Sequence, residues 1–239
     1  MRLKGHKDML KQLHEMYGKN EPLCDELKGH LETCDIFGEV LKHPLVFMVP
    51  YFAEHMGGLA NRALKQKKEQ MARAIAKGDL MTVVWLHERP YRIDALRDYV
   101  AMPSVPEADF AKALLQAWTD CENVWQNYDW WVELLSMRKI DWMSYADKVD
   151  SEAFDALPAV VDIYRGGITS WEDTPLSWTT DREKAEWFAR RFGKVEDANL
   201  MKATIEKKHI YFYTNGRSES EVVVDPEHVK VNWYEPIVQ

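Results

Sequence analysis

Apolar and polar positions along the chain follow two periods, helical through the first 150 residues and strand-like afterwards. From Glu21 to Leu41 the residues Leu23, Leu27, His30, Leu31, Cys34 and Phe37 recur at helical spacing, which predicts a helix with a core-facing stripe. Leu59 to Ala76 predicts an alanine-rich helix, and Lys65, Lys67 and Lys68 read as its solvated face rather than a nucleic-acid contact. The strongest stripe starts near Pro106 and runs through Phe110, Leu114, Ala117, Trp118, Cys121, Val124, Trp125 and Tyr128. It continues or breaks near Asp129, then adds Trp131, Leu134 and Leu135. Such aromatic density reads as core, a seam against a C-terminal sheet, with a partner-binding face as the other reading.

After residue 155 the period changes. Val160 to Tyr164, Leu200 to Ile205, His209 to Tyr213 and Val222 to Val224 read as strands, and Thr214 to Ser218 as a turn. Thr180 to Glu183 fits a capping box that opens a helix through Ala185, Phe188, Ala189 and Phe192, closed by Gly193. The expected organisation is α+β: a helical lobe over residues 1–150, then a mixed lobe over 151–239.

Composition narrows the function classes. A net charge of -8 and a pI near 5.5 argue against bulk attraction to phosphate backbones or anionic membranes. The run Leu45 to Ala53 is too short to span a bilayer and contains Pro50, and Met1 to Leu13 lacks the apolar stretch of a secretory signal. A cytoplasmic protein with no membrane partner is expected, its three cysteines reduced. Cys24, His30 and Cys34, with Asp35 or His43, offer ligand chemistry without a Cys-x-x-Cys pair; the helix stripe is the preferred reading and no metal is expected. His87, Glu88 and Arg89 before Pro90 read as a surface turn rather than a cleft lining. No Gly-x-Gly-x-x-Gly or Walker loop is present, which argues against a Rossmann turn.

The candidate chemistry lies in three short motifs: Tyr164-Arg165-Gly166, Ser177-Trp178-Thr179 and Glu219-Ser220-Glu221. Each has a plainer reading, as an exposed strand end, a helix N-cap region, and a charged sheet edge that deters pairing. In this order and context they resemble the arginine-serine-glutamate class of ADP-ribosyltransferases, which includes binary toxins, cholera-toxin-like enzymes and phage-encoded transferases. The resemblance covers roughly Leu157 to Trp233 and implies a catalytic lobe of two small, largely antiparallel sheets.

It also implies roles. NAD would be the substrate, anchored by the planar fork of Arg165, with Tyr164 and Gly166 beside it. Glu221 would stabilise the positive charge that builds on the ribose as nicotinamide leaves. Ser177 would orient Glu221 and Thr179 would support the strand. Glu219, expected two residues along one extended strand and about 7 Å from Glu221, would accept a proton from the incoming nucleophile. Glu-x-Glu favours arginine on a protein as acceptor. Tyr164, Trp171 and Tyr213 are candidates to stack on nicotinamide, because only eleven residues separate Arg165 from Ser177.

The expected activity is thus mono-ADP-ribosyl transfer to a macromolecule, with a toxin or phage-conflict role and a neutralising antitoxin-type partner suggested by the company of the fold. Its rivals are transfer to an RNA or DNA base, NAD glycohydrolysis, and a non-catalytic helical interaction protein.

Overall fold

A computed structural model describes residues 21–100, 105–121, 124–137, 139–167, 174–191 and 198–236. The chain divides into two compact units, Met1–Val105 and Pro106–Gln239, a boundary earlier than the residue 150 read from the sequence.

The first unit is not helical throughout. A single turn, α1 (Asp25–Lys28), is followed by a three-stranded antiparallel sheet of β1 (Leu31–Cys34), β2 (Gly38–His43) and β3 (Val46–Met48). This corrects the helix expected over Glu21 to Leu41. Gly38, at φ 73, lets the chain reverse so that Cys34 faces Gly38 and Leu31 faces Leu41. The stripe residues Leu23, Leu27 and Leu31 do reach one core, but from a turn and a strand, together with Leu41, Leu45, Val46, Tyr51, Ala60 and Leu64.

Three helices follow: α2 (Ala53–Lys77), α3 (Leu80–Leu86) and α4 (Arg92–Val100). Gly78 ends α2 in the left-handed conformation, and the Asp79 side chain caps α3 by accepting from the Thr82 N–H at 3.0 Å. The lysine face of α2 is held within the unit, Lys67 pairing with Glu88 at 2.7 Å and Lys68 with Glu26. Among the described residues no helix is long and apolar enough to cross a membrane.

The second unit opens with α5 (Glu107–Asp120), for which Pro106 is the N-cap residue. Its buried face is Phe110, Ala111, Ala113, Leu114, Ala117 and Trp118. The helix ends at Cys121, which turns to extended backbone, so the expected stripe stops short: Trp125 lies in the 3-10 turn Val124–Asn127 and is 73% exposed. Burial resumes in α6 (Tyr128–Ser136) through Trp131, Leu134 and Leu135. Helix α7 (Lys148–Asp155) is capped by Asp147, whose side chain accepts from the Asp150 N–H.

A six-stranded antiparallel sheet completes this unit, ordered β7-β8-β5-β4-β6-β9. Its strands are β4 (Val160–Gly167), β5 (Ser177–Thr179), β6 (Asn199–Glu206), β7 (Ile210–Thr214), β8 (Glu221–Val224) and β9 (Lys230–Pro236). The sheet is two three-stranded halves joined through one residue pair, Tyr164 with Thr179. Helices mixed with two antiparallel sheets make the described residues α+β, as the sequence pattern predicts. Trp118 sits edge-on to Phe212 of β7 and to Trp131, with ring centroids 5.8 and 5.0 Å away, so α5 does form the seam against the sheet.

Helix α8 (Arg182–Arg191) follows β5 directly, but its cap is Asp181, whose side chain accepts from the Lys184 N–H at 3.1 Å. The capping box expected at Thr180 is displaced by one residue because Thr180 is still tied to the sheet, its N–H donating to the Ser220 carbonyl. Phe192 and Gly193 lie outside the described residues. Helix α8 crosses β4 at Gly166, where a Cβ would stand 1.8 Å from the Ala185 carbonyl oxygen and 2.7 Å from the Ala189 nitrogen. Ala185 and Ala189 are fully buried there. We expect Gly166→Ala to push helix from strand and cost about 3 kcal/mol in urea unfolding, as overpacking against backbone does; a loss near zero would mean that the contact relaxes freely.

Candidate active site

The register of β5 and β8 brings the second and third motifs together. Ser177 faces Val223, Trp178 faces Val222 and Thr179 faces Glu221. Strand β8 is buried at all four positions, three valines and one glutamate, so the apolar run places a carboxylate inside the fold. Ser177 Oγ donates to Glu221 Oε1 at 2.5 Å, a short charge-assisted hydrogen bond. This is the contact that the resemblance assigns to an orienting serine.

Arg165 enters from the other half-sheet. Beyond the Tyr164–Thr179 pair, β4 and β5 part, and continued pairing would have set Gly166 against Ser177. Instead the Ser177 carbonyl accepts a hydrogen bond from Arg165 Nη1. Burial pushes the Arg165 pKa down to about 10, opposed by the charge of Glu221, which leaves the guanidinium cationic at neutral pH. Arg165, Ser177 and Glu221, distant in sequence, therefore meet at one place where the sheet splits.

Glu219 is not on the strand. It lies in the turn before β8, and Ser220 between the two glutamates has φ 47, a left-handed conformation that breaks two-residue alternation. This corrects the expected extended Glu-x-Glu. The two carboxylates are nevertheless linked, because Arg217 Nη2 stands 3.2 Å from Glu219 Oε2 and 3.7 Å from Glu221 Oε2. Thr179 Oγ1 donates to the Glu219 carbonyl at 2.6 Å and accepts from the Asp181 N–H at 3.0 Å, so it ties the turn to the start of α8.

The turn has its own fastening. The Ser220 N–H donates to Asn215 Oδ1 at 3.0 Å, and the Asn215 N–H donates to Asp150 Oδ1 at 2.9 Å. Asp150, on α7, is buried, and that desolvation raises its pKa above the usual carboxylate value.

Glu221 is 5% exposed, and burial is the largest influence on its pKa, which is raised. The Ser177 hydrogen bond, the Arg217 charge and the Trp118 side chain each favour the ionised form, while Glu219 opposes it. Trp118 Nε1 is buried and makes no hydrogen bond of good geometry. Arg217 Nη1 also donates to the Cys121 carbonyl at 3.3 Å, so the end of α5 forms one wall of the site.

The stacking candidates separate. Tyr213 is 8% exposed, and its N–H donates to the Met143 sulfur, so it lies largely in the core. Tyr164 is half-buried, with Lys202 Nζ 5.7 Å from its ring centroid. Trp171 and residues 168–173 fall outside the described residues. A surface depression of about 420 Å3, lined by Tyr128, Glu133, Thr174 and Glu227 among others, includes none of Arg165, Ser177 and Glu221.

Sequence reading missed Arg217, Trp118, Asn215 and Asp150. An arginine two residues before Glu-x-Glu is a readable signal for the first, and the Asp147-x-x-Asp150 cap pattern for the last; Trp118 is hidden among core aromatics. The Cys24, His30 and Cys34 group is resolved differently: His30 and His43 meet edge-on at 4.6 Å, and neither Cys24 nor Cys34 is in a disulfide. His87 Nδ1 lies 2.8 Å from the Val83 carbonyl oxygen, and Glu88 pairs with Lys67, as suits a turn.

Compared with family models, curated proteins and solved structures, the chain matches none of them. The functional reading accordingly rests on the arrangement of these side chains.

One consequence concerns stability. A folded-state pKa raised above the unfolded value means that the folded chain holds the proton more tightly, so stability falls as pH rises from the usual carboxylate value through the raised one. Above that window the fold contains an ionised buried group. Glu221→Gln keeps an acceptor for Ser177 without the charge. Urea midpoints should show the variant gaining on the parent as pH rises through the window; a gap constant with pH would mean that burial of Glu221 is cost-free.

Proposed function

We propose that the chain is a mono-ADP-ribosyltransferase that moves ADP-ribose from NAD to a macromolecular acceptor and releases nicotinamide. What supports the reading is the meeting of Arg165, Ser177 and Glu221, above all the 2.5 Å hydrogen bond from Ser177 to Glu221. Loss of nicotinamide builds positive charge on the ribose carbon and ring oxygen, and a carboxylate fixed beforehand stabilises that charge without reorganisation. Glu221 is such a group: buried, aimed by Ser177, and short of other solvent contacts. Arg165, held against the Ser177 carbonyl, supplies a fixed cation for the NAD pyrophosphate or ribose.

The acceptor side is Glu219. Its carboxylate already pairs with the guanidinium of Arg217, and this supports a guanidinium as the group it receives. Protein arginine is therefore the acceptor we favour. An acceptor guanidinium would displace Arg217, give up a proton to Glu219 and attack the ribose carbon from which nicotinamide departs. Action in the cytoplasm, as a toxin or phage-conflict effector restrained by a protein partner, belongs to the same proposal.

Glu221→Gln should lower nicotinamide release by about a hundredfold or more while NAD binding persists, since the lost interaction matters in the transition state. Undiminished turnover would sink the assignment. Glu219→Gln should suppress transfer to arginine more than hydrolysis of NAD, and equal loss of both would remove its acceptor role. With labelled NAD and a cell lysate, label on protease-sensitive material supports a protein target. Label on nuclease-sensitive material would redirect the proposal to RNA or DNA, and free ADP-ribose alone to glycohydrolysis.

The pH profile is a further check. Because ionised Glu221 is required and its pKa is raised by burial, the acid limb of nicotinamide release should lie above the usual carboxylate range. Ser177→Ala or Arg217→Ala removes a contact that favours the anion, so either should move that limb to higher pH. An unmoved limb in both variants would assign it to another group.

A further inference from the structure

At the opposite end of the β7–β8 hairpin from the glutamates, the pairing of Ile210 with Val224 sets the next residues outward, His209 and Asp225, against each other. The Asp225 N–H donates to the His209 carbonyl at 2.9 Å. Asp225 also opens the 3-10 turn Pro226–His228, its Oδ1 accepting from the Glu227 N–H at 3.1 Å. That turn carries His228 back over the hairpin end. Its Nδ1 stands 3.1 Å from Asp225 Oδ2, and its ring stacks on His209 with centroids 3.6 Å apart and planes 20° from parallel. One ligand-type atom from each of the three side chains lies within 4.8 Å of the other two.

We propose that His209, Asp225 and His228 form a binding site for a divalent transition-metal cation that clamps the base of this hairpin. Two imidazole nitrogens and one carboxylate oxygen are borderline donors, suited to zinc, cobalt, nickel or copper and poorly matched to magnesium or calcium, which prefer all-oxygen shells. Three protein ligands leave a fourth tetrahedral position for water. Tetrahedral ligands about 2.1 Å from zinc sit about 3.4 Å apart. The His228–Asp225 contact, 3.1 Å, is close to that separation, and spacings of up to 4.8 Å in the group must close by up to about 1.4 Å. The His228 side chain is 42% exposed, so turning it out of its stack on His209 meets solvent on its open side. Bound there, the cation takes the place of the proton between His228 and Asp225.

The backbone supports the arrangement independently of the side chains. A backbone hydrogen bond from Asp225 to His209 holds these two residues against each other, and the capped turn fixes the His228 backbone three residues later, so the ion has only side chains to order. An ordinary histidine–aspartate pair needs no third residue. The second imidazole brings a ring nitrogen within reach of both and extends the pair to a ligand set, once its ring and that of His228 turn out of the stack so that each lone pair points at the ion.

The test uses the full, untagged chain and Zn2+ in isothermal titration, with Co2+ as a spectroscopic probe. One saturable site is expected, with a visible cobalt spectrum of nitrogen and oxygen ligation. His209→Ala and His228→Gln should each weaken binding by about tenfold or more. Circular dichroism checks that the fold survives, and His228, being exposed, tolerates replacement. Absence of saturable binding, unchanged affinity in both variants, or thiolate charge-transfer bands that assign the ion to a cysteine would each overturn the site. None of these readouts involves NAD, so the outcome stands apart from the transferase reading.

Discussion

A carboxylate buried at the head of a trivaline strand is the constraint from which the second unit is best understood. Burial of Glu221 opposes its charge, and an unpaired ion there would be costly. The fold answers with Ser177 on the neighbouring strand, Arg217 from the turn and the indole of Trp118 from helix α5. None of these partners satisfies Glu221 alone. Together they come from three separate elements, so those elements must keep their register for the carboxylate to stay tolerable.

The same logic explains why the sheet is divided. Continuous pairing of β4 with β5 would consume the Ser177 carbonyl in a ladder and close the space beside it. With Tyr164–Thr179 as the junction, the strands part, and Arg165 uses that carbonyl to hold its own buried charge. Gly166, next in the chain, gives up a side chain so that the backbone of α8 can lie against β4. The aromatic-Arg-Gly motif thus combines a strand junction, a cation and a close helix contact in three consecutive residues.

The strands were legible in the sequence, because strand periodicity depends on neighbours a few residues away: Val160–Tyr164, Leu200–Ile205 and Val222–Val224 appear as expected. The pairing of Ser177 with Glu221, 44 residues apart, was expected only from the resemblance. The misreadings have local physical causes. The stretch into the β1–β2 hairpin imitates a helix, since Leu23, Leu27, Leu31 and Cys34 share helical spacing while Gly38 reverses the chain. Glu219 was expected on the strand because nothing in its residue type announces the left-handed Ser220 beside it. Trp118 approaches Glu221 from an element far away in sequence, and a single chain read along its length carries no signal for such a pair.

The relation between the two glutamates therefore comes from the turn and not from strand alternation. Serines at φ 56 and 47, Ser218 and Ser220, occupy a conformation that glycine adopts more readily, so something must hold them there. The chain of contacts from Asp150 through Asn215 to the Ser220 N–H does so, with the Thr179 hydroxyl gripping the Glu219 carbonyl from the other side. Helix α7 and the start of α8 thereby fix where Glu219 stands relative to Glu221. A strand could have set that spacing with fewer contacts, but it would have pointed both carboxylates along one row. The strained turn instead lets a single guanidinium, that of Arg217, bridge them.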